Sequence, residues 1–462
     1  GGGTLSGDPC FSYIPSLIDF DDSNSYPIPP TLPSISKTDK ISICDMNGDG
    51  LPDAAILARQ SKEFGGDPEA FVFLADSFGA GVDVNGDGNN PDFVGTFTKL
   101  VIDETTVGYS TLLTNGDPRG RGAIVRLADM DGDGSDELVI PCRTFGAANR
   151  PRVLIVNINT DGTIGTHAVI EPGTSALSVS GIAVGNFSDA DSGLDIAVLV
   201  GDTVTADREL SILRSTAADL GFTDAGTVHA LPAALDDYNV GFLAAGDFDD
   251  DGDDDLIWGQ YKNTEAAERA KDFPIVVTEV NAAAGTIGTP TALTNLTGGP
   301  VWHIATGDFD DVHDGDEAVL IVGDEADGTL LTSVLPGGLV GINDPLSLLA
   351  TNYTQTGFRT NSSQPYKGSG RSLGCADFDG DGHEDVAAAS VTGEFQIFFG
   401  DGTGTWTNSG LSWTLPTVPG VFPSRVHGIA AGDINGDGLA EVWMGDIGAA
   451  PTALVIWNNV SR

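Results

Sequence analysis

Seven copies of one acidic loop, several short apolar runs around each copy, and no long apolar stretch predict an all-β fold. The architecture they predict is a seven-bladed β-propeller of four-stranded antiparallel blades. The copies recur roughly every 60 residues, as one supersecondary unit does, so residues 1–462 are expected to form a single repeat domain.

The loops come first in the argument. They are Asp45-Met-Asn47-Gly-Asp49-Gly-Leu51-Pro-Asp53 and Asp129-Met-Asp131-Gly-Asp133-Gly-Ser135-Asp-Glu137. A looser copy, Asn186-Phe-Ser188-Asp-Ala-Asp191-Ser-Gly-Leu-Asp195, is followed by Asp247-Phe-Asp249-Asp-Asp251-Gly-Asp253-Asp-Asp255. The remaining three are Asp308-Phe-Asp310-Asp-Val-His-Asp314-Gly-Asp-Glu317, Asp377-Phe-Asp379-Gly-Asp381-Gly-His383-Glu-Asp385 and Asp433-Ile-Asn435-Gly-Asp437-Gly-Leu439-Ala-Glu441.

Each loop is preceded by a short apolar run, such as Ile41–Cys44 or Phe242–Ala245, and followed by a second, such as Ala54–Leu57 or Ile196–Val200. A third run follows a polar turn (Phe71–Leu74, Val153–Ile158, Phe395–Phe399), and a weaker fourth closes most units (Phe97–Ile102, His167–Ile170). Runs of this length, rich in Val and Ile and bounded by Gly, Asp and Pro, are strands. The last unit lacks a fourth run, whereas residues 1–40 hold a spare segment, Cys10–Phe20. Pairing that segment into the last blade is expected to close the ring.

Composition excludes several functions. With 67 acidic and 21 basic residues the net charge is −46, so a nucleic-acid backbone would repel the chain. A hydrophobic content of 40% is too high for an acidic disordered polymer. No apolar run approaches the roughly 18 residues of a membrane span, so no membrane insertion is expected. The chain opens on Gly1-Gly2-Gly3 without a leader, as expected of a processed product. Four scattered cysteines (Cys10, Cys44, Cys142, Cys375) leave one or two bridges and three pairings open.

Acidic residues at alternate positions suit a hard cation that takes six to eight oxygen ligands. Positions one, three and five supply side chains, seven a carbonyl and nine a carboxylate, while glycine at six permits the sharp turn. These loops are therefore expected to bind calcium, about five to eight ions in all. The two longer loops, 186–195 and 308–317, are expected to be weak or empty. Asp83-Val-Asn85-Gly-Asp87-Gly-Asn89-Asn-Pro-Asp92 is expected to form an eighth, accessory site at residues 83–92. The favoured role for the metal is a structural clip between strands, ahead of a calcium-switched activity.

Together with Phe399-Gly400-Asp401-Gly402-Thr403-Gly404, these loops resemble the FG-GAP/VCBS repeats of integrin alpha-subunit-like propellers. The resemblance runs from about Ile41 to the end of the chain. It implies seven blades, calcium loops on one face and a ligand or partner on the other. It carries over no ligand-binding residue.

In a four-stranded meander the connections opposite the loops lie on one face. Most basic residues fall there, with five of the seven tyrosines. Arg121, Tyr238 and Tyr261 are candidates on that face for a protein or carbohydrate ligand, since Arg and Tyr recur at binding hot spots. Trp302, Arg371 and His427 each precede their loop by six residues and could converge at the channel mouth.

No nucleophile elbow, phosphate loop or zinc spacing occurs, so no catalytic residue is assigned. The expected function is non-catalytic extracellular or cell-surface adhesion and recognition. The alternatives are a secreted polysaccharide-active enzyme such as a lyase, with Arg371 and His427 as its candidate pair, or a structural subunit of a surface assembly. Extracellular placement follows from the millimolar-range calcium affinity of such modules.

Overall fold

The computed structural model describes residues 20–27, 35–60, 69–78, 95–102, 126–131, 133–143, 151–172, 178–187, 194–201, 208–216, 220–224, 229–230, 239–248, 251–261, 275–281, 286–293, 301–307, 309, 316–322, 330–335, 353–355, 372–389, 394–402, 406–414, 426–433, 439–446 and 453–459. Among them every regular element is a β-strand.

Strand β1 (Phe20–Pro27) is followed by an antiparallel sheet of β2 (Ile35–Cys44), β3 (Asp53–Gln60), β4 (Glu69–Phe78) and β5 (Gly95–Ile102). The next sheet holds β6 (Arg126–Ala128), β7 (Glu137–Arg143), β8 (Pro151–Ile158) and β9 (Ile164–Ile170). Then come β10 (Ser178–Gly185), β11 (Asp195–Gly201) and β12 (Arg208–Thr216), the last pairing with both β13 (Gly221–Asp224) and β14 (His229–Ala230). The fourth sheet runs β15 (Asn239–Gly246), β16 (Asp255–Tyr261), β17 (Ile275–Thr278), with a small hairpin of β18 (Val280–Asn281) and β19 (Thr286–Ile287) before its outer strand β20 (Thr291–Leu293).

Two further sheets repeat the order: β21 (Val301–Gly307), β22 (Glu317–Val322), β23 (Leu330–Leu335), β24 (Tyr353–Gln355); and β25 (Ser372–Ala376), β26 (Asp385–Ala389), β27 (Glu394–Gly400), β28 (Trp406–Thr414). The last contains β29 (Val426–Gly432), β30 (Glu441–Asp446) and β31 (Ala453–Asn459), with β1 as its fourth strand.

The pairing of β1 differs from the sequence expectation. Phe20 lies opposite Asn459 and Pro27 opposite Ala453, so the added strand begins where the apolar segment Cys10–Phe20 ends. An outer strand is held by backbone hydrogen bonds, and Phe-Asp-Asp-Ser-Asn-Ser-Tyr-Pro needs no apolar face to serve there. Residues 10–19 themselves lie outside the described residues.

Small antiparallel sheets stacked through their faces make the arrangement propeller-like. The first strands touch in chain order, β2 to β6 to β10 and onward through β15, β21 and β25 to β29, and β29 touches β2. Residues from all seven first strands, among them Ile41, Ala128, Ala183, Ala244, Ile304 and Ile429, line one cavity of about 380 Å³.

The core lies between successive sheets. Val72 and Leu74 of β4 pack with Leu138, Leu154 and Val156 of the next sheet, and Leu199 and Ile212 pack with Leu256 and Trp258. Position two of the acidic loops plugs these interfaces: Met46, Met130, Phe187, Phe309 and Phe378 are buried. Burying each such side chain is worth about 1.5–3 kcal/mol. The loop sequence thus anchors its own backbone before any ligand chemistry begins.

Candidate metal centre

Each acidic loop joins the first strand of its sheet to the second. In the loop at 129–137 the Asp129 carboxylate accepts the amides of Asp133 (3.1 Å) and Gly134 (3.0 Å), and Asp131 accepts that of Asp133 (3.2 Å). The loop at 377–385 repeats this: Asp377 accepts from Gly380 (2.6 Å) and Gly382 (2.9 Å), and Asp379 from Asp381 (3.2 Å). Asp45 and Asp247 form the same wrap through Asp49 and Gly50, and through Asp251 and Gly252. Position six is glycine for a conformational reason. Gly50, Gly134, Gly252 and Gly382 have φ of 85°, 92°, 90° and 92°, a region that side chains disfavour.

Position five closes the turn. Asp49, Asp133, Asp251 and Asp381 accept the amides of Leu51, Ser135, Asp253 and His383, all at 2.8–3.0 Å. Position nine does something different. Asp53, Glu137, Asp195, Asp255, Asp385 and Glu441 are all fully buried. One oxygen of Asp53 accepts the position-two amide of Met46, and the other accepts Ala75 from the third strand. Asp385 does the same with Phe378 and Gly400, while Asp195 and Asp255 accept third-strand-side amides from Ser215 and Val280.

Burial and the neighbouring carboxylates make these acids hard to ionise without a cation. Desolvation pushes Asp53 up to about 7, and Glu137 and Asp385 up to about 8, against the hydrogen bonds that favour their charge. Asp379 rises to about 6, by desolvation and then by Asp381. Oxygens of Asp129, Asp131 and Glu137 lie within 4.8 Å of one another, and so do those of Asp377, Asp379 and Asp385. Three convergent carboxylates, all oxygen donors, fit a hard divalent cation, which would supply the missing positive charge.

The sequence-derived ligands are thus brought together in two loops, with the same hydrogen-bonded wrap in two more. Asp83, Asn85, Asp87, Asn89 and Asp92 of the accessory loop lie outside the described residues, as do Ser188, Asp191, Asp249, Asp308, Asp310, Asp314, Asn435 and Asp437. Glu317 opens β22, and Asp433 and Leu439 flank the undescribed part of the last loop. Cys44 and Cys375 are free thiols, and burial raises both above the ordinary thiol range.

Of the opposite-face candidates, Arg121, Tyr238 and Arg371 fall outside the described residues, and Tyr261 ends β16. Trp302 and His427 each sit at a register shift of their first strand, between Val301 and His303 and between Val426 and Gly428. Ser180 and Gly241 occupy the same place in β10 and β15. A bulge recurring at one position redirects the strand end away from regular pairing.

Sequence reasoning missed position eight. This residue, directly before the last ligand (ninth in the longer loop at 308–317), donates its amide to the position-one carbonyl of the preceding loop: Asp136 to Asp45 (2.9 Å), Asp254 to Asn186 (3.0 Å), Asp316 to Asp247 (2.6 Å) and Ala440 to Asp377 (3.1 Å). In two cases the acid also takes the position-one amide in return, Asp254 from Asn186 (2.6 Å) and Asp316 from Asp247 (3.0 Å). The signal was present as a pairing. A Cβ on Gly185 or Gly246 would lie 2.6 or 2.9 Å from those carboxylates, whereas an alanine, Ala376, precedes Asp377, whose carbonyl takes the amide of Ala440.

Comparison with known families matches the stretch that holds the last two of these loops. Residues 377–444 form an FG-GAP-like repeat. That stretch is well under half of the chain, and it starts on Asp377 and includes the Asp377–Asp379–Asp385 cluster. No curated protein matches the chain. Among solved structures, a crystal structure of BBS1N in complex with ARL6DN, soaked with lead, aligns over 95% of this chain and 96% of that one. Its TM-score is 0.44 at 9% identity, so the fold description rests on the strand pairing instead. Among the described residues, no helix is long and apolar enough to cross a membrane.

Proposed function

We propose that this chain is a closed seven-bladed β-propeller, stabilised by calcium in its acidic loops, that acts as a non-catalytic extracellular recognition module. The observation that carries the reading is a coincidence in one place. The FG-GAP-like repeat at 377–444 begins on the loop where Asp377, Asp379 and Asp385 converge. FG-GAP repeats are typical of extracellular proteins and suggest propeller-type recognition modules. Seven first strands around one cavity, with β29 against β2 and β1 against β31, support ring closure.

The partner is a protein or a carbohydrate, bound at the end opposite the calcium loops. The recurrent bulge that includes Trp302 and His427 lies at that end of the first strands, and loops carried on a rigid scaffold commonly hold function.

Two measurements test this. Calcium stoichiometry of the full chain, stripped with chelator and retitrated, is expected to show several ions bound. A glycan and extracellular-protein array is then probed with wild type and with Trp302→Ala/His427→Ala. Binding lost in the variant with an unchanged melt supports the opposite face, and binding retained there moves the site elsewhere. Turnover of an acidic polysaccharide by the wild type would overturn the non-catalytic reading.

A further inference from the structure

The cavity among the first strands differs in chemistry from the rest of the molecule. The chain carries 67 acidic and 21 basic residues, yet the described residues that line the cavity include no Asp, Glu, Lys or Arg. Most of them are Ile, Val, Leu or Ala. Its volume of about 380 Å³ falls among small-molecule sites, which are mostly apolar with a few placed polar groups. A flat protein surface cannot enter a space of that size, whereas the end of a sugar chain can.

Two polar groups on its walls have a direction set by the fold. His303 of β21 is buried and accepts the Leu373 amide of β25 on Nδ1 at 2.9 Å, so its neutral ring carries the proton on Nε2, as a donor. Thr306 donates its hydroxyl to the Ala245 carbonyl at 2.7 Å, which leaves the lone pairs of that oxygen as acceptors. A ligand hydroxyl both donates and accepts, and so suits each of them. A carboxylate only accepts, meets no cation on the described walls, and must enter against the field of a chain of net charge −46.

The cavity also adjoins the register shifts at the end opposite the acidic loops. Lys40 directly precedes Ile41, and Trp302 directly precedes His303, both lining residues. His427 stands two residues before a third, Ile429.

We propose that this cavity receives the uncharged end group of a carbohydrate, a neutral sugar whose hydroxyls pair with Nε2 of His303 and Oγ1 of Thr306. This deepens the reading given above and rests on its carbohydrate arm, with the partner at the end opposite the acidic loops.

The test titrates the full chain, in calcium-containing buffer, by calorimetry with methyl glycosides of neutral hexoses and, in parallel, of hexuronic acids. The wild type is expected to bind at least one neutral glycoside and to favour it over its uronic counterpart. In His303→Asn the side-chain oxygen can take over the Leu373 amide, but no N–H reaches the place of Nε2. That variant is expected to melt like the wild type and to bind about tenfold more weakly, the worth of one hydrogen bond. Ala305→Leu narrows the cavity while keeping both polar groups, and is expected to abolish binding. It carries the comparison if His303→Asn does not fold. A wild type that binds no neutral glycoside, or binds the uronic acids as well or better, overturns the assignment, and so do variants that bind like wild type. An extracellular protein captured on the array, retained by His303→Asn and lost by Trp302→Ala/His427→Ala, would overturn the sugar and leave the opposite-face reading standing.

Discussion

The loops at 45–53 and 129–137 fold alike over their first seven residues and then part at the ninth. Asp53 divides its carboxylate between two backbone amides, of Met46 and of Ala75 in the third strand. Glu137 takes the corresponding Met130 amide, but its other oxygen accepts the side-chain amide of Asn157 at 3.1 Å. One extra methylene carries the second oxygen past the third-strand backbone, and Asn157 near the end of β8 meets it there. The second oxygen of Asp53 and of Asp385 is therefore held by a main-chain amide that no side-chain truncation removes, and that of Glu137 by a side chain that can be deleted. The comparison also shows that position nine has two tasks, holding three strands together and facing a cation.

The two tasks oppose each other when no cation is present, and the largest expected effect follows from that. In metal-free protein the folded-state values of about 7 for Asp53 and about 8 for Glu137 and Asp385 lie above the ordinary carboxylate range. A raised folded value means that the folded state holds the proton more tightly, so stability is greatest at or below about pH 4. It is lost as pH rises towards 8. Calcium needs the ionised form and displaces that proton, so its stabilisation grows with pH. The melting temperature in excess chelator should fall from pH 5 to pH 8, and the gain on adding calcium should widen over the same interval. A chelated protein that melts higher at pH 8 than at pH 5, or one indifferent to calcium, would break the link between burial and metal.

Next in size is removal of the staple itself. Asp385→Ala leaves the buried amides of Phe378 and Gly400 without their acceptor. At about 1–3 kcal/mol for each, the expected loss is roughly 2–6 kcal/mol. Glu137→Ala strands only one backbone amide, because half-buried Asn157 can turn to water, so its loss should be the smaller of the two. Urea denaturation of both variants in chelator measures the difference apart from any metal. Equal losses would mean that the second oxygen contributes nothing to either loop.

How far the sequence foretold this depends on where each partner comes from. Positions one to seven were legible because a short loop satisfies itself, and the alternation of Asp, Asn and Gly records its own hydrogen bonds. The third-strand amides were not, because Ala75 and Gly400 act through backbone placed there by the fold and carry no side-chain signature. Position eight looked like filler within its own loop. Its meaning lies one repeat away, in the glycine that makes room for it. The strand β1 lies within residues 1–40 but beyond the apolar segment Cys10–Phe20 for a related reason, since an outer strand pairs by backbone and Asp21, Asp22 and Asn24 give no apolar signal. In the same way β23, Leu-Leu-Thr-Ser-Val-Leu, carries only two apolar pairs split by Thr332 and Ser333, a weak strand signal.

The smallest expected effect isolates the feature that separates the two loops. Asn157→Ala deletes the amide that reaches Glu137 and leaves the Met130 bond in place. A single hydrogen bond to a buried acid is worth about 1 kcal/mol, up to about 3 if the acid is charged. The loss should therefore sit near the lower figure in chelator at pH 5, where Glu137 is protonated, and rise towards pH 8 as ionisation makes the bond charge-assisted. With calcium bound the cation takes over much of that charge, and the effect of the substitution should shrink again. No aspartate loop offers the matching experiment, since the group facing Asp53 there is the main-chain amide of Ala75. If Asn157→Ala destabilises equally at both pH values and with or without calcium, Asn157 only fills space, and the contrast between the glutamate and aspartate loops is one of shape rather than charge.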